Sequence, residues 1–231
     1  MSAEVVEKVD PRIKYPSYKS FDEFIDVDWL KSLDSYVTER IQRRLDQAKD
    51  IQFYTGPFVK DDDKAAVKPG SKMVYLSQPK GEDNYYDLDN PDAWQPAEGA
   101  TEFSELMEFI ATLPFKATAR MLIMYDREGR AVTAHRDHVS YDLCHEFIWF
   151  RTNLRKPFYM LNENTGEKQY VESHSAWFDS VNQFHGGDAT GELAISIRVD
   201  GHFSDDFKAQ IPVPEYNRAS TPSLWACSEL T

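Results

Sequence analysis

A chain of 231 residues with 41% hydrophobic content can bury one sizeable core, and its 14 Phe, 12 Tyr and 5 Trp are the aromatic supply a β-rich core uses. The formal net charge of −13 sets up a field that repels polyanions, which argues against nucleic acid and anionic membrane as partners. No stretch is long and apolar enough to span a bilayer. Cys144 and Cys227 imply no disulfide framework and the charged Met1 to Tyr15 stretch does not read as a leader, so a cytoplasmic setting is expected.

In chain order, the first predicted element is a helix from about Val27 to Ala48, where Leu30, Leu33, Val37, Ile41 and Leu45 recur at helical spacing. A strand is predicted over Lys72 to Leu76. Ser77 to Ala100 shows no periodicity but contains Tyr85, Tyr86 and Trp94; a loop of that length suggests a lid over a site. A second helix is predicted over Thr101 to Leu113, with Phe103, Leu106, Ile110 and Leu113 on one face and Pro114 as its stop.

From Ala117 the texture changes to short β-like runs separated by turn residues: Ala117–Tyr125, Ala131–Ala134, His145–Arg151, Phe158–Leu161, Gln169–Glu172, Ala176–Phe178 and Glu192–Val199. Regular short strands of this kind predict a sandwich or barrel. The expected organisation is a single domain: residues 1–116 as helix and loop support, 117–203 as a β core, and 204–231 as an extended tail. All six histidines lie at or after position 135, which places any histidine chemistry in the β core.

His135-Arg136-Asp137 offers two metal ligands on one face of an extended strand, because successive side chains alternate. His185, in Asn182-Gln183-Phe184-His185-Gly186-Gly187, offers a third. Two imidazoles and one carboxylate with open positions opposite form the facial triad of non-haem Fe(II) oxygenases, leaving room for a chelating cosubstrate and dioxygen. A cation is then needed for the far carboxylate of 2-oxoglutarate. Arg198 shares a strand face with Ala194 and Ser196, so small side chains lead to a guanidinium; its other reading is a strand-end arginine paired with Asp200. His145 or Arg151 could meet the near carboxylate or the substrate, and Tyr125 could donate its hydroxyl to a bound carboxylate. Trp177 and Phe178 read as core, His174 and His202 as surface residues, and Arg120, Arg151 and Arg155 as either substrate readers or ion-pair partners.

These motifs give the chain a resemblance to the aspartyl/asparaginyl β-hydroxylase-like branch of 2-oxoglutarate-dependent oxygenases, which includes bacterial free-proline hydroxylases. The resemblance covers about Ala119 to Gly201: Ala119-Arg120-Met121-Leu122-Ile123 leading to His135-Arg136-Asp137, then Phe147-Ile148-Trp149, then Trp177-Phe178-Asp179 leading to His185. It implies a double-stranded β-helix, a cupin-like jelly roll flanked by helices, with iron held by His135, Asp137 and His185 and 2-oxoglutarate anchored by Arg198. It also implies hydroxylation of an amino acid, a peptide side chain or a small metabolite. Two other readings use the same ligands: a cupin-like metal-binding or sensor protein without turnover, and a zinc-dependent hydrolase or isomerase. A dicarboxylate-binding cation distinguishes the first from an oxygenase, and metal preference distinguishes the second.

Overall fold

The computed structural model describes residues 18–46, 71–81, 90–137, 146–162, 165–178, 180 and 183–210. The chain enters with β1 (Lys19–Ser20), α1 (Val27–Ser32) and α2 (Asp34–Asp46). Next come β2 (Ser71–Tyr75) and a hairpin of β3 (Ser77–Pro79) and β4 (Trp94–Pro96), then α3 (Glu98–Glu102) and α4 (Ser104–Ile110). Eight strands follow: β5 (Phe115–Asp126), β6 (Val132–His135), β7 (Phe147–Phe150), β8 (Phe158–Leu161), β9 (Lys168–Tyr170), β10 (Ser175–Trp177), β11 (Phe184–Gly187) and β12 (Ala194–Phe203). The last described element is α5 (Asp205–Gln210), so the tail expected to be extended from residue 204 begins with a helical turn and a half.

The expected Val27–Ala48 helix is two helices in tandem, broken at Leu33. Asp26 caps the first, its carboxylate accepting from the Trp29 backbone N–H at 2.9 Å. The second starts at Asp34, whose carboxylate is taken by Thr152, Asn153 and Arg155 across the molecule. The predicted apolar face survives the break, since Leu30, Leu33, Val37, Ile41 and Leu45 are all buried. The helix predicted over Thr101 to Leu113 is likewise two short helices, with Phe103, Leu106, Ile110 and Leu113 buried as their spacing requires.

Two antiparallel sheets form the core, one ordered β1-β10-β7-β12-β5-β2 and the other β6-β11-β8-β9. Between β5 and β12 the chain passes back and forth between them, which makes the fold a double-stranded β-helix, a jelly roll with helices on one side. Strand parity divides the six-stranded sheet cleanly. Met121, Ile123, Ile148, Phe150, Ile197 and Val199 point to the helices, where Phe109 meets Phe150 at 5.6 Å between ring centroids. Each such side chain stabilises the fold by about 1.5–3 kcal/mol through burial. Leu122, Trp149 and Arg198, which are cross-strand partners, point to the opposite face, toward the four-stranded sheet.

At the end where β12 meets α5, Phe203 packs with Phe21, Phe115 and Phe207, closing the barrel with rings rather than polar loops. Among the described residues no helix is long and apolar enough to cross a membrane.

Candidate metal centre

β6 and β11 are neighbours in the four-stranded sheet, and His135 and His185 are direct cross-strand partners. Pairing alone therefore brings the two imidazoles together, with ring centroids 4.5 Å apart. The strand ends at His135, so Asp137 lies beyond it rather than two places along the same extended face. Its backbone N–H donates to the Ser180 carbonyl at 2.8 Å, which turns the carboxylate back toward the histidines. Asp137 Oδ1 stands 3.8 Å from His135 Nε2 and 3.6 Å from His185 Nε2, and all three ligand atoms lie within 4.8 Å of one another.

Both imidazoles are oriented by their own strands. His135 Nδ1 lies 2.8 Å from the Thr133 carbonyl and His185 Nδ1 lies 3.2 Å from the Gln183 carbonyl. A carbonyl only accepts, so each Nδ1 carries a proton, and in the neutral ring each Nε2 is then the lone-pair atom on the side of Asp137. An octahedral ion about 2.1 Å from each ligand sets neighbouring ligands about 3 Å apart, a spacing that small side-chain rotations reach from here. The donor set and its tautomers fit a divalent metal.

His185 is buried against Phe178 and Phe158, with centroids at 5.1 and 5.9 Å, and Trp149 stacks on Phe158 at 4.5 Å. His135 is exposed, so the centre has an aromatic wall on one side and solvent on the other. Burial pushes the Asp137 carboxyl upward, but a proton on His185 Nε2, whose place a bound metal would take, and the positive charge of Arg198 outweigh it and hold the group well below the ordinary carboxylate range. Asp137 is therefore ionised at neutral pH, as a metal ligand requires.

Close backbone approach holds β11 in place. A Cβ on Gly186 would stand 2.7 Å from the Tyr159 hydroxyl and 2.7 Å from the Val132 carbonyl oxygen, which belongs to the neighbouring β6. Gly186→Ala is expected to cost about 1–3 kcal/mol of stability. Because it displaces β6 from β11, it should also weaken Co(II) binding, and calorimetric Tm together with metal titration reads both effects.

Arg198 points into the barrel as its parity with Ser196 requires, and it is buried. Its Nε donates to Asp200 Oδ1 at 2.9 Å and its Nη1 donates to Asp137 Oδ2 at 3.2 Å, while its guanidinium lies 3.9 Å from the centre of the Phe147 ring. The arginine expected at the far carboxylate of a cosubstrate is thus also tied to a candidate metal ligand. Ser196 is half-buried two residues earlier on the same face.

Tyr125 does not join them. It shares the parity of Ile123, opposite to Leu122, and is buried in the core beneath the helices, so its nearness to His135 in sequence places it on the wrong side of the sheet. His145 and His138 lie outside the described residues. Arg151 is occupied by the carbonyls of Lys156, Val171 and Ser173, and Arg155 pairs with Asp34, so both serve the fold. His174 is half-buried rather than a surface residue, its backbone N–H donating to Asp22.

Sequence reasoning missed the Thr133, Gln183 and Ser180 carbonyls, which carry no side-chain signature. The alternative read for Arg198, a pairing with Asp200, is present in the structure, and Arg120 is an ion-pair partner of the same Asp200; what the sequence did not indicate is that this chain of charges reaches Asp137.

No protein-family model matches the chain, and no curated protein matches it. Solved structures do. A prolyl-4-hydroxylase from Pseudomonas putida is similar over 83% of this chain and 95% of its own, at 14% identity and a TM-score of 0.42. A prolyl hydroxylase from Trichoplax adhaerens, solved with a peptide of the hypoxia inducible factor oxygen degradation domain, is similar over 88% and 91%, at 11% identity and a TM-score of 0.45. A viral collagen prolyl hydroxylase from Paramecium Bursaria Chlorella virus-1 is similar over 81% and 96%, at 10% identity and a TM-score of 0.37. The likeness is one of fold.

Proposed function

We propose that this chain is a non-haem Fe(II)/2-oxoglutarate-dependent dioxygenase that hydroxylates an unactivated C–H bond of an amino acid, a peptide side chain or a related small metabolite. One observation carries the reading: two Nε2 lone pairs and one carboxylate oxygen converge at the solvent-facing side of a jelly roll, with every other polar atom of the two imidazoles already committed. Iron held there supplies the coupling of two oxidations, in which 2-oxoglutarate and dioxygen become succinate and carbon dioxide while one oxygen atom enters the substrate C–H bond.

The protein's own groups account for the rest. His135, Asp137 and His185 hold the ion on one side and leave the other to small molecules. Phe178, Phe158 and Trp149 exclude water from the buried flank. Charge balance favours a dianionic cosubstrate. The linked groups Arg120, Asp200, Arg198 and Asp137 sum to zero, so a divalent ion leaves two positive charges beside a buried arginine–aspartate pair, and a dicarboxylate neutralises them. Arg198 and Ser196, on the inner face of β12, are the groups we assign to that dicarboxylate, with His145 as a further contact.

The substrate class follows the resemblance read from the sequence, as does the aspartyl/asparaginyl β-hydroxylase-like branch, and residues 1–116 are read as support for the 117–203 core. The reading includes a reducing, cytoplasmic setting. The test is succinate release from 2-oxoglutarate with added Fe(II) and a panel of amino acids and peptides, followed by mass detection of a gain of one oxygen. Turnover should require Fe(II) and should vanish in His135→Ala. Activity with Zn(II) and none with Fe(II), or full turnover in His135→Ala, would remove this mechanism.

A further inference from the structure

Asp200 is wholly buried, and beyond its share in the charge balance of the site it is neither a candidate ligand nor a contact assigned to the cosubstrate. A carboxylate is costly to bury unless paired and hydrogen-bonded, and Asp200 is paired twice. Its Oδ2 accepts from Arg120 Nε at 2.9 Å and its Oδ1 accepts from Arg198 Nε at 2.9 Å. Arg198 passes the constraint on, because the same guanidinium donates through Nη1 to Asp137 Oδ2. The face of Phe147 fixes the plane of that guanidinium.

The two oxygens of Asp137 are thereby given separate tasks. Oδ1 faces both imidazole Nε2 atoms, and Oδ2 is held by Arg198. A planar fork can serve two carboxylates at once in fixed geometry, which a lysine ammonium cannot. We propose that Asp200 is a positioning residue of the metal centre: by fixing Arg198 it reserves Asp137 Oδ2, so that Asp137 offers the ion one oxygen and the position a second would take stays open for a chelating cosubstrate. This rests on the reading that His135, Asp137 and His185 hold a divalent metal.

Co(II) is the probe, because its affinity is measured by calorimetry and its visible spectrum reports coordination number without turnover. Asp200→Asn keeps the shape and removes the charge that holds both guanidiniums. With a cooperative thermal transition showing that it folds, this variant should bind Co(II) about 10- to 100-fold more weakly, the range for losing a partner behind a ligand. Its cobalt spectrum should also change, and the KM for 2-oxoglutarate should rise by a larger factor than kcat falls.

Arg198→Lys keeps the positive charge but cannot span Asp137 and Asp200, and it should move affinity and spectrum in the same direction. A folded Asp200→Asn protein with the affinity and spectrum of the parent overturns the proposal. If Asp200→Asn does not fold, Arg198→Lys with parental affinity and spectrum overturns it instead. A parent chain that binds no Co(II), or His135→Ala binding as tightly as the parent, overturns the metal reading itself, and this is seen without any change at Asp200.

Discussion

His185→Ala is expected to lower Co(II) affinity by more than about 100-fold and to abolish iron-dependent turnover, since loss of a ligand should exceed the loss seen when only its supporting partner is removed. His185 is the buried member of the triad, enclosed by Phe178 and Phe158, and its Nδ1 is committed to the Gln183 carbonyl. Its replacement removes one of three donors and leaves His135 and Asp137 on the exposed side, where water competes for the ion. The variant also leaves a cavity against two rings, so stability falls as well, and the two effects must be read separately. Thermal unfolding without metal gives the cavity cost, and titration of the folded protein gives the ligand loss. Parental Co(II) affinity in folded His185→Ala would contradict the assignment of the third ligand.

The second large effect is on the fold. Phe203→Ala should cost about 3–5 kcal/mol, the usual range for emptying a well-packed phenylalanine site. Phe203 is 1% exposed and touches Phe21, Phe115 and Phe207 at 5.9, 4.9 and 5.0 Å between centroids, so one side chain joins the amino-terminal segment, β5 and α5. These rings cannot collapse into the gap without moving three elements. The midpoint of urea unfolding should fall while its slope stays constant. Because the triad sits on the four-stranded sheet, the folded fraction should keep parental Co(II) affinity. A midpoint unchanged from the parent would show that these rings do not close the core.

The residue types of the triad were legible, since two imidazoles and a carboxylate suit a divalent metal, although β6 ends at His135 and Asp137 joins it from beyond the strand rather than along one strand face. The strand that presents His185 was not legible. Phe184-His185-Gly186-Gly187 has no alternation and two glycines, which weaken a strand when taken alone. It is a strand because β6 and β8 flank it and need glycine for their close approach. Strands with apolar character of their own were easier, and Phe158–Leu161 has the same bounds in the sequence reading and in the structure.

The break between α1 and α2 was invisible for a related reason. Apolar spacing continues through Leu33, while Asp34 is engaged by Thr152, Asn153 and Arg155, more than a hundred positions away. For Tyr125 the sequence left a strand-end tyrosine free to face either side, and parity with Ile123 puts it beneath the helices, in the core. The helical start of the tail depends on Phe207 filling the ring cluster, a tertiary contact that local composition does not announce.

The most direct measurement is anaerobic addition of 2-oxoglutarate to the Fe(II)-loaded protein, followed by visible absorption. Chelation through the keto and carboxylate oxygens needs two adjacent open positions and produces a metal-to-ligand charge-transfer band. The account predicts that band at one iron per chain, and its loss in His135→Ala and His185→Ala. A loaded protein that shows no band, or one that persists undiminished without either imidazole, would contradict it.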